Sequence, residues 1–490
     1  MGKIAVAVIV SSWVVAVSIL VNRIVTEPYM DEIFHIPQAQ QYCKGNFRSW
    51  DPMITTPPGM YIVSLAYVAS LFPGIFSMKD DLSFSDTCSS SILRSSNGVL
   101  AVFCSMMVYN ILTHLRPSLT DRKVTLRTVV LALYPLHWFF TFLYYTDVAS
   151  LTAVLASYLM SLKKKYFFSS LVGAFAVLIR QTNIIWILFI ACTGVLDYIL
   201  DQPKDSADLI DSSQSQESTI RQLHLALLST KRLLLQCLPQ TYFSHEVREI
   251  ISRLWQFKWE IIALFWPYLI IMAAFITFVF WNGSIVLGAK EAHSVSPHFA
   301  QLMYFSLISV LFMTPMHFTI GQAAALARSF WKNNKLVSFF QLCTTLAVGF
   351  LSVHFFSIAH PYLVADNRHY TFYLWRKVIK FHWSMKYLLV PLYVYSWISI
   401  FNILAKNQRK TWVLVYFLAT AATLIPAPLI EFRYYTIPFF FLILHSHVDD
   451  DRSWLLMGIM YLAINIFTIY LFLFRPFSWV HETGVQRFIW

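Results

Sequence analysis

An all-α protein threaded through a membrane about thirteen or fourteen times is the fold class that this sequence predicts, and three observations carry it. Hydrophobic residues make up 57% of the 490 positions and charged ones only 13%, about half the roughly 25% of a soluble domain. A soluble chain this apolar could not cover its surface with polar groups. Apolar runs of about twenty residues recur along the whole length, the signature of spanning helices. Those runs are continuous rather than alternating, which excludes a strand-built barrel.

The runs place candidate spans at 4–21, 92–115, 127–146, 148–162, 166–182, 184–200, 259–281, 299–318, 336–358, 386–405, 411–428, 434–448 and 453–474. The first follows Met1-Gly2-Lys3, is long for a signal peptide and lacks a small-x-small cleavage site, so it is expected to be an uncleaved signal anchor. Segment 58–76 is apolar too, but Pro57-Pro58-Gly59 and Pro73-Gly74 break it, so it is expected to insert only partly. The even spread of runs predicts one membrane domain over 1–490.

Charge tests this threading. With a cytosolic N-terminus, loops 116–126, 163–165, 201–258, 319–335 and 406–410 fall in the cytosol, and all are basic. Loops 22–91, 282–298 and 429–433 fall on the luminal side and are acidic or mixed. Counting 58–76 as a full span would invert every later loop. The net charge of +12 thus reads as helix orientation in a lipid bilayer rather than nucleic-acid binding, with anionic lipids left open as partners for the exceptions. The cytosolic insert 201–258 begins with a Ser-, Asp- and Gln-rich stretch of disordered composition. Cysteine spacing offers no metal site, and no metal or other cofactor is expected. Cys43 and Cys88 share the first luminal loop, where a disulfide and two free thiols are equal alternatives. Asn282-Gly283-Ser284 is a glycosylation sequon on the same side.

The residues that could carry chemistry gather on that side. Tyr29-Met30-Asp31-Glu32-Ile33-Phe34-His35 opens loop 22–91, and helical spacing sets Asp31 and His35 on one face. Acids beside aromatics at a membrane could serve as a base; capping carboxylates on a solvated helix are the alternative. Asp147 ends one span and Arg180 interrupts another pair. Ionisable groups at such depth either face a cavity or pair with each other, as Asp147 with Arg180 would. Loop 359–386 breaches the positive-inside pattern with Arg368, His369, Arg376, Lys377, Lys380 and Lys386 against the single acid Asp366. Arg433 adds another cation. Guanidinium groups kept where topology disfavours them point to a phosphate.

One carboxylate facing several phosphate-binding cations fits a particular reaction. If the donor is a lipid-linked sugar phosphate, its leaving group is already a good anion. A single base on the acceptor hydroxyl then suffices, at about 10²–10⁴-fold. A transporter or flippase and a non-enzymatic channel-associated subunit are the competing classes; the one-sided gathering of charge favours catalysis.

Four motifs resemble a known family. They are Tyr29-Met30-Asp31-Glu32-Ile33-Phe34-His35-Ile36-Pro37-Gln38-Ala39-Gln40, Ile54-Thr55-Thr56-Pro57-Pro58-Gly59, the stretch His360 to Tyr373, and Glu431-Phe432-Arg433-Tyr434-Tyr435-Thr436-Ile437-Pro438. In these the chain resembles the α-1,2-glucosyltransferases of the Die2 type from the endoplasmic reticulum, which belong to the GT-C superfamily. The resemblance implies a GT-C fold and a multi-pass protein of the endoplasmic-reticulum membrane with a luminal active site. It implies transfer of glucose from dolichyl-phosphate glucose to the dolichol-linked oligosaccharide, which supplies the terminal α-1,2 glucose before protein N-glycosylation. It implies inversion without a metal, and an essential acid in the first luminal loop, which maps onto Asp31 or Glu32. On this reading Arg368, His369 and Arg433, with Arg180 and Lys290, are the candidates for the donor phosphate. Tyr29, Phe34, His35, Trp50 and Asp147 are the candidates for the substrate sugars.

Overall fold

A computed structural model describes residues 1–73, 87–202, 239–291, 294–332, 335–480 and 484–490; most of the polar stretch 201–219 lies outside them. In chain order the main helices are α1 (Gly2–Ile24), α2 (Glu32–Cys43), α3 (Gly59–Leu71), α4 (Ser90–Leu115), α5 (Asp121–Ala132), α6 (Pro135–Phe140), α7 (Thr146–Leu162), α8 (Tyr166–Ile179) and α9 (Asn183–Asp201). Then come α10 (Pro239–Gln256), α11 (Lys258–Asn282), α12 (Ala300–Phe312), α13 (Ile320–Lys332), α14 (Lys335–Phe356), α15 (Val390–Ala405), α16 (Lys410–Leu424), α17 (Thr436–His445) and α18 (Asp451–Phe474). Among the described residues there is no strand, only two isolated bridges. The protein is an all-α, multi-pass membrane protein: among the described residues seven helical stretches are long and apolar enough to cross a bilayer, and five shorter helices are also apolar.

The expected span 127–146 is not one helix. Pro135 disfavours helical geometry at Tyr134, so the chain breaks between α5 and α6 and again over 141–145. Interrupted backbone at membrane depth must find internal partners. Asn465 donates to Leu133 O at 2.8 Å, and Asn97 donates to Leu143 O and Tyr145 O at 2.6 and 2.9 Å. Of segment 58–76 the residues 74–76 lie outside the described ones; the rest holds the thirteen-residue α3, about 20 Å long and too short to span by itself. Its first residue, Gly59, lies against the end of α8, where a Cβ would meet Leu178 O at 2.5 Å.

At one end of the bundle the basic loops 116–126 and 163–165 meet acidic partners: Lys123 pairs with Asp451 at 3.2 Å, in the turn that carries Asp449, Asp450 and Asp451, Lys164 pairs with Asp201 at 2.8 Å, and Arg116 reaches Ser446 O. The other end gathers the segments around 25–31, 141–147, 180–183, 285–291, 357–371 and 425–434. The disulfide Cys43–Cys88 ties α2 to the approach of α4. Helix α17, apolar all round, sits buried at the centre, as a helix without a polar face must. Tyr134 stacks on Phe439 at 4.2 Å and Trp186 on Phe441 at 5.1 Å. Arg433 is carried on the short turn just before this fixed helix.

Candidate active site

A cavity of about 660 Å³ opens at the end where those segments converge. Asp31 and His35 enter it one helical turn apart, since His35 N–H donates to Asp31 O at 3.1 Å. Met30 before them has φ of 57°, a left-handed conformation uncommon for a side chain of its size. What holds this bend is Glu32. Its carboxylate is wholly buried and accepts from Arg94 Nε and Nη2 at 2.9 and 2.6 Å, from Tyr29 N–H at 3.0 Å and from Tyr144 N–H at 2.6 Å. Arg94 in turn donates to Val25 O, Glu27 O and Asn22 Oδ1.

Charges alternate across the cavity. Arg433 spends Nε and Nη2 on Glu431 Oε2 at 3.0 and 2.7 Å and gives Nη1 to Asp31 Oδ2 at 2.8 Å. The same nitrogen lies 3.8 Å from Asp147 Oδ2. Asp147 Oδ1 accepts from Arg180 Nη1 at 2.6 Å, and Arg180 lies over the Tyr434 ring. Asp31, Asp147, Asp366 and Glu431 line the cavity against Arg180 and Arg433. Burial pushes the Asp31 pKa up, but Arg433 and then His35 outweigh it, so the carboxyl is held below the ordinary aspartate value. Burial pulls His35 below the ordinary imidazole value against the opposing pull of Asp31, which leaves the ring neutral at neutral pH. Its Nδ1 meets Tyr61 Oη at 2.6 Å.

Three lining atoms, Thr56 Oγ1, Asp147 Oδ2 and Gln181 Oε1, are buried and have no hydrogen-bond partner within the protein. Away from them the wall turns apolar, with Ile184, Ile185, Phe275, Ala422 and Ile437 from bilayer-crossing helices and their ends. The mouth is set by a close approach of two loops. Leu287 N–H donates to Thr55 O and Ala289 N–H to Pro52 O, both at 3.1 Å. Gly288 between them leaves no room for a Cβ, which would sit 2.1 Å from Pro52 O.

Of the residues the sequence nominated, Asp31, Phe34, His35, Asp147, Arg180, His369 and Arg433 line this cavity together. The others do not reach it. Glu32 is enclosed by its four donors. Arg368 spends Nε and Nη2 on Asp366 and Nη1 on Gln486, with its plane over Trp479. Lys290 turns to the end of α11 and donates to Asn282 O at 2.6 Å, as a cation at a helix C-terminus does. Tyr29 is clasped by Arg487, whose N–H donates to its hydroxyl and whose O accepts from it. Trp50 packs edge-on against Tyr61. Glu431 was not nominated; it precedes the short turn that carries Arg433 and accepts from its Nε and Nη2.

Residues 25–444 match the family model described as DIE2/ALG10 family. The chain belongs to the DIE2/ALG10 family. Three relatives carry the name Dol-P-Glc:Glc(2)Man(9)GlcNAc(2)-PP-Dol alpha-1,2-glucosyltransferase. One from Arabidopsis thaliana is 55% identical over all of both chains. One from Mus musculus is 34% identical, and one from Homo sapiens 33%, each over 96% of this chain and 94% of the relative. No solved structure matches the chain. The DIE2/ALG10 match spans every segment that lines the cavity.

Proposed function

We propose that this protein is the inverting glucosyltransferase its relatives are named for. It moves glucose from dolichyl-phosphate glucose to the dolichol-linked oligosaccharide Glc2Man9GlcNAc2-PP-dolichol and forms the terminal α-1,2 glucose. The cavity then faces the lumen of the endoplasmic reticulum, with the basic loops in the cytosol. The observation that carries the chemical assignment is the exposure of Asp31. Its side chain is 41% exposed to the cavity, whereas those of Asp147 and Glu431 are 7% and 13% exposed.

In the proposed reaction Asp31 is the general base and takes the proton of the acceptor hydroxyl. The hydroxyl oxygen forms a bond to the anomeric carbon of glucose from the face opposite the phosphate. The bond from that carbon to the phosphate oxygen breaks, and its electron pair leaves with dolichyl phosphate. A β-linked donor thereby gives an α-linked product. Arg180 is the first candidate for the departing phosphate, because among the described residues only its Nη1 is hydrogen-bonded and it lies just before the N-terminus of α9. Arg433 and His369 complete that side, and Phe34, His35 and Asp147 line the cavity where the sugars would lie. The apolar wall would take the first isoprene units of the donor.

The test is transfer by the purified full-length protein with matched dolichyl-phosphate glucose and dolichyl-phosphate mannose. Glucose alone should appear on the acceptor, and Asp31→Asn should lower turnover by about 10²–10⁴-fold. Near-normal turnover by Asp31→Asn would remove it as the base.

A further inference from the structure

A second concavity, of about 480 Å³, lies behind one wall of the active cavity. Segment 362–372 is that wall. Tyr362, Leu363, Asp366, His369 and Thr371 face the active cavity, while Val364, Ala365, Asn367 and Phe372 face the second one. Arg376 and Lys380 reach into the second concavity from either end of a five-residue π turn, Trp375–Ile379, a rare geometry that concentrates at functional sites.

Its chemistry is that of an anion site. Arg376 lies over Phe372 at 5.8 Å and Lys380 over Trp375 at 5.5 Å, so each cation rests on an aromatic face. Among the described residues no carboxylate is within ion-pair reach of either, and Asp366, the single acid of the loop, is committed to Arg368. Trp479 donates its indole N–H to Asn367 Oδ1 at 2.8 Å, which turns the Asn367 amide nitrogen out as a further donor. The segment joins two bilayer-crossing stretches, Lys335–Phe356 and Met385–Ala405, and exposes Phe381 and Trp383 beside the cup. Exposed aromatics next to cations mark the headgroup level of a membrane.

We propose that this cup binds the diphosphate of the lipid-linked acceptor. The inference rests on the acceptor assigned above. That acceptor carries its diphosphate at the membrane surface, separated from the reacting glucose by the whole glycan. The two arginines of the active cavity are already assigned: Arg433 is held by Glu431 and Asp31, and Arg180 is the candidate for the donor phosphate. Among the described residues the cup is a cationic site without a paired carboxylate, on the same face as the active cavity, where a dolichol-borne diphosphate would lie.

The test compares the full-length protein with the variants Arg376→Ala/Lys380→Ala and Arg376→Glu in neutral phosphatidylcholine vesicles. The exposure of both side chains keeps the fold intact. The acceptor KM should rise about tenfold, the loss of one good charged contact, with kcat and donor KM unchanged. A soluble glycan with the same terminal glucoses but no lipid diphosphate should be used equally by all three proteins. An unchanged acceptor KM, or an equal loss on both acceptors, would overturn the assignment. So would a deficit that appears only when phosphatidylserine is added to the vesicles, since the cup would then serve bulk anionic phospholipid. If the unaltered protein transferred no glucose, the proposed function itself would fail, a result distinct from variants that match it.

Discussion

Replacing Glu32 by Gln separates the two adjacent acids by their physics. Glutamine keeps the shape but turns an NH₂ toward two donors, Tyr29 N–H and Arg94 Nη2, and leaves the Arg94 guanidinium, 2% exposed, without its counter-charge. Removing one partner of a buried pair costs about 3–5 kcal/mol. Asp31→Asn should cost less than about 1 kcal/mol, because Arg433 keeps both contacts to Glu431 and Asp31 is partly solvated. Thermal unfolding in detergent and glucose transfer, measured on the same preparations, then give opposite signatures. Glu32→Gln should unfold at a clearly lower temperature, and Asp31→Asn should unfold normally but be inactive. The double variant Glu32→Gln/Arg94→Met removes the orphaned charge and should recover stability and part of the turnover lost by Glu32→Gln. A Glu32→Gln protein of normal stability and no activity, not rescued by the Arg94 change, would make Glu32 the chemical group and refute the reasoning.

Three further outcomes follow from the geometry. Arg433→Gln removes the charge that depresses the Asp31 pKa while its burial persists, so the acid limb of kcat/KM should move to higher pH in a profile from about pH 4 to 8. Arg180→Lys should raise the donor KM, whereas Arg368→Lys should leave it within about twofold, because Arg368 lies behind the wall; initial rates at varied donor read both. Cys43→Ser should lower stability by about 4 kcal/mol in the chain-entropy view of a cross-link closing a loop of this length, and a reductant should lower the unfolding midpoint of the unaltered protein in the same way.

Membrane character was legible because the length and continuity of apolar runs are local properties. Charge alone grouped loops 116–126 and 163–165 on one side, but not the acidic turn 449–451 that pairs there with Lys123. The interruption at 133–146 had a local signal in Pro135, which the continuous apolar run obscured; what satisfies its carbonyls, Asn97 and Asn465 from distant helices, was not legible. Nor could adjacency distinguish Asp31 from Glu32. The buried partner that sequesters Glu32 stands 62 positions away, and the arginine that serves Asp31 stands 402 away. Arg368 was a different case: its Asp-x-Arg spacing announced a local pair, which the count of cations in loop 359–386 obscured.

The arrangement couples donor binding to the basicity of Asp31 in the proposed reaction. A carboxylate held by Arg433 is ionised but weakly basic, so something must loosen that contact when substrate is present. Among the described residues Arg180 bonds only through Nη1, so a phosphate can take its remaining donors and, by sharing its charge, loosen its hold on Asp147. Asp147 Oδ2 already stands 3.8 Å from Arg433 Nη1, the nitrogen that holds Asp31. Released from Arg180, Asp147 takes a larger share of that nitrogen and Asp31 a smaller one. The Asp31 pKa then rises under the burial that Arg433 had outweighed. The base becomes strong only while a donor phosphate is seated, and departure of dolichyl phosphate restores the resting pair. An excess of acids over arginines is what such a relay requires, because a cavity with arginines to spare would bind phosphate without disturbing Asp31.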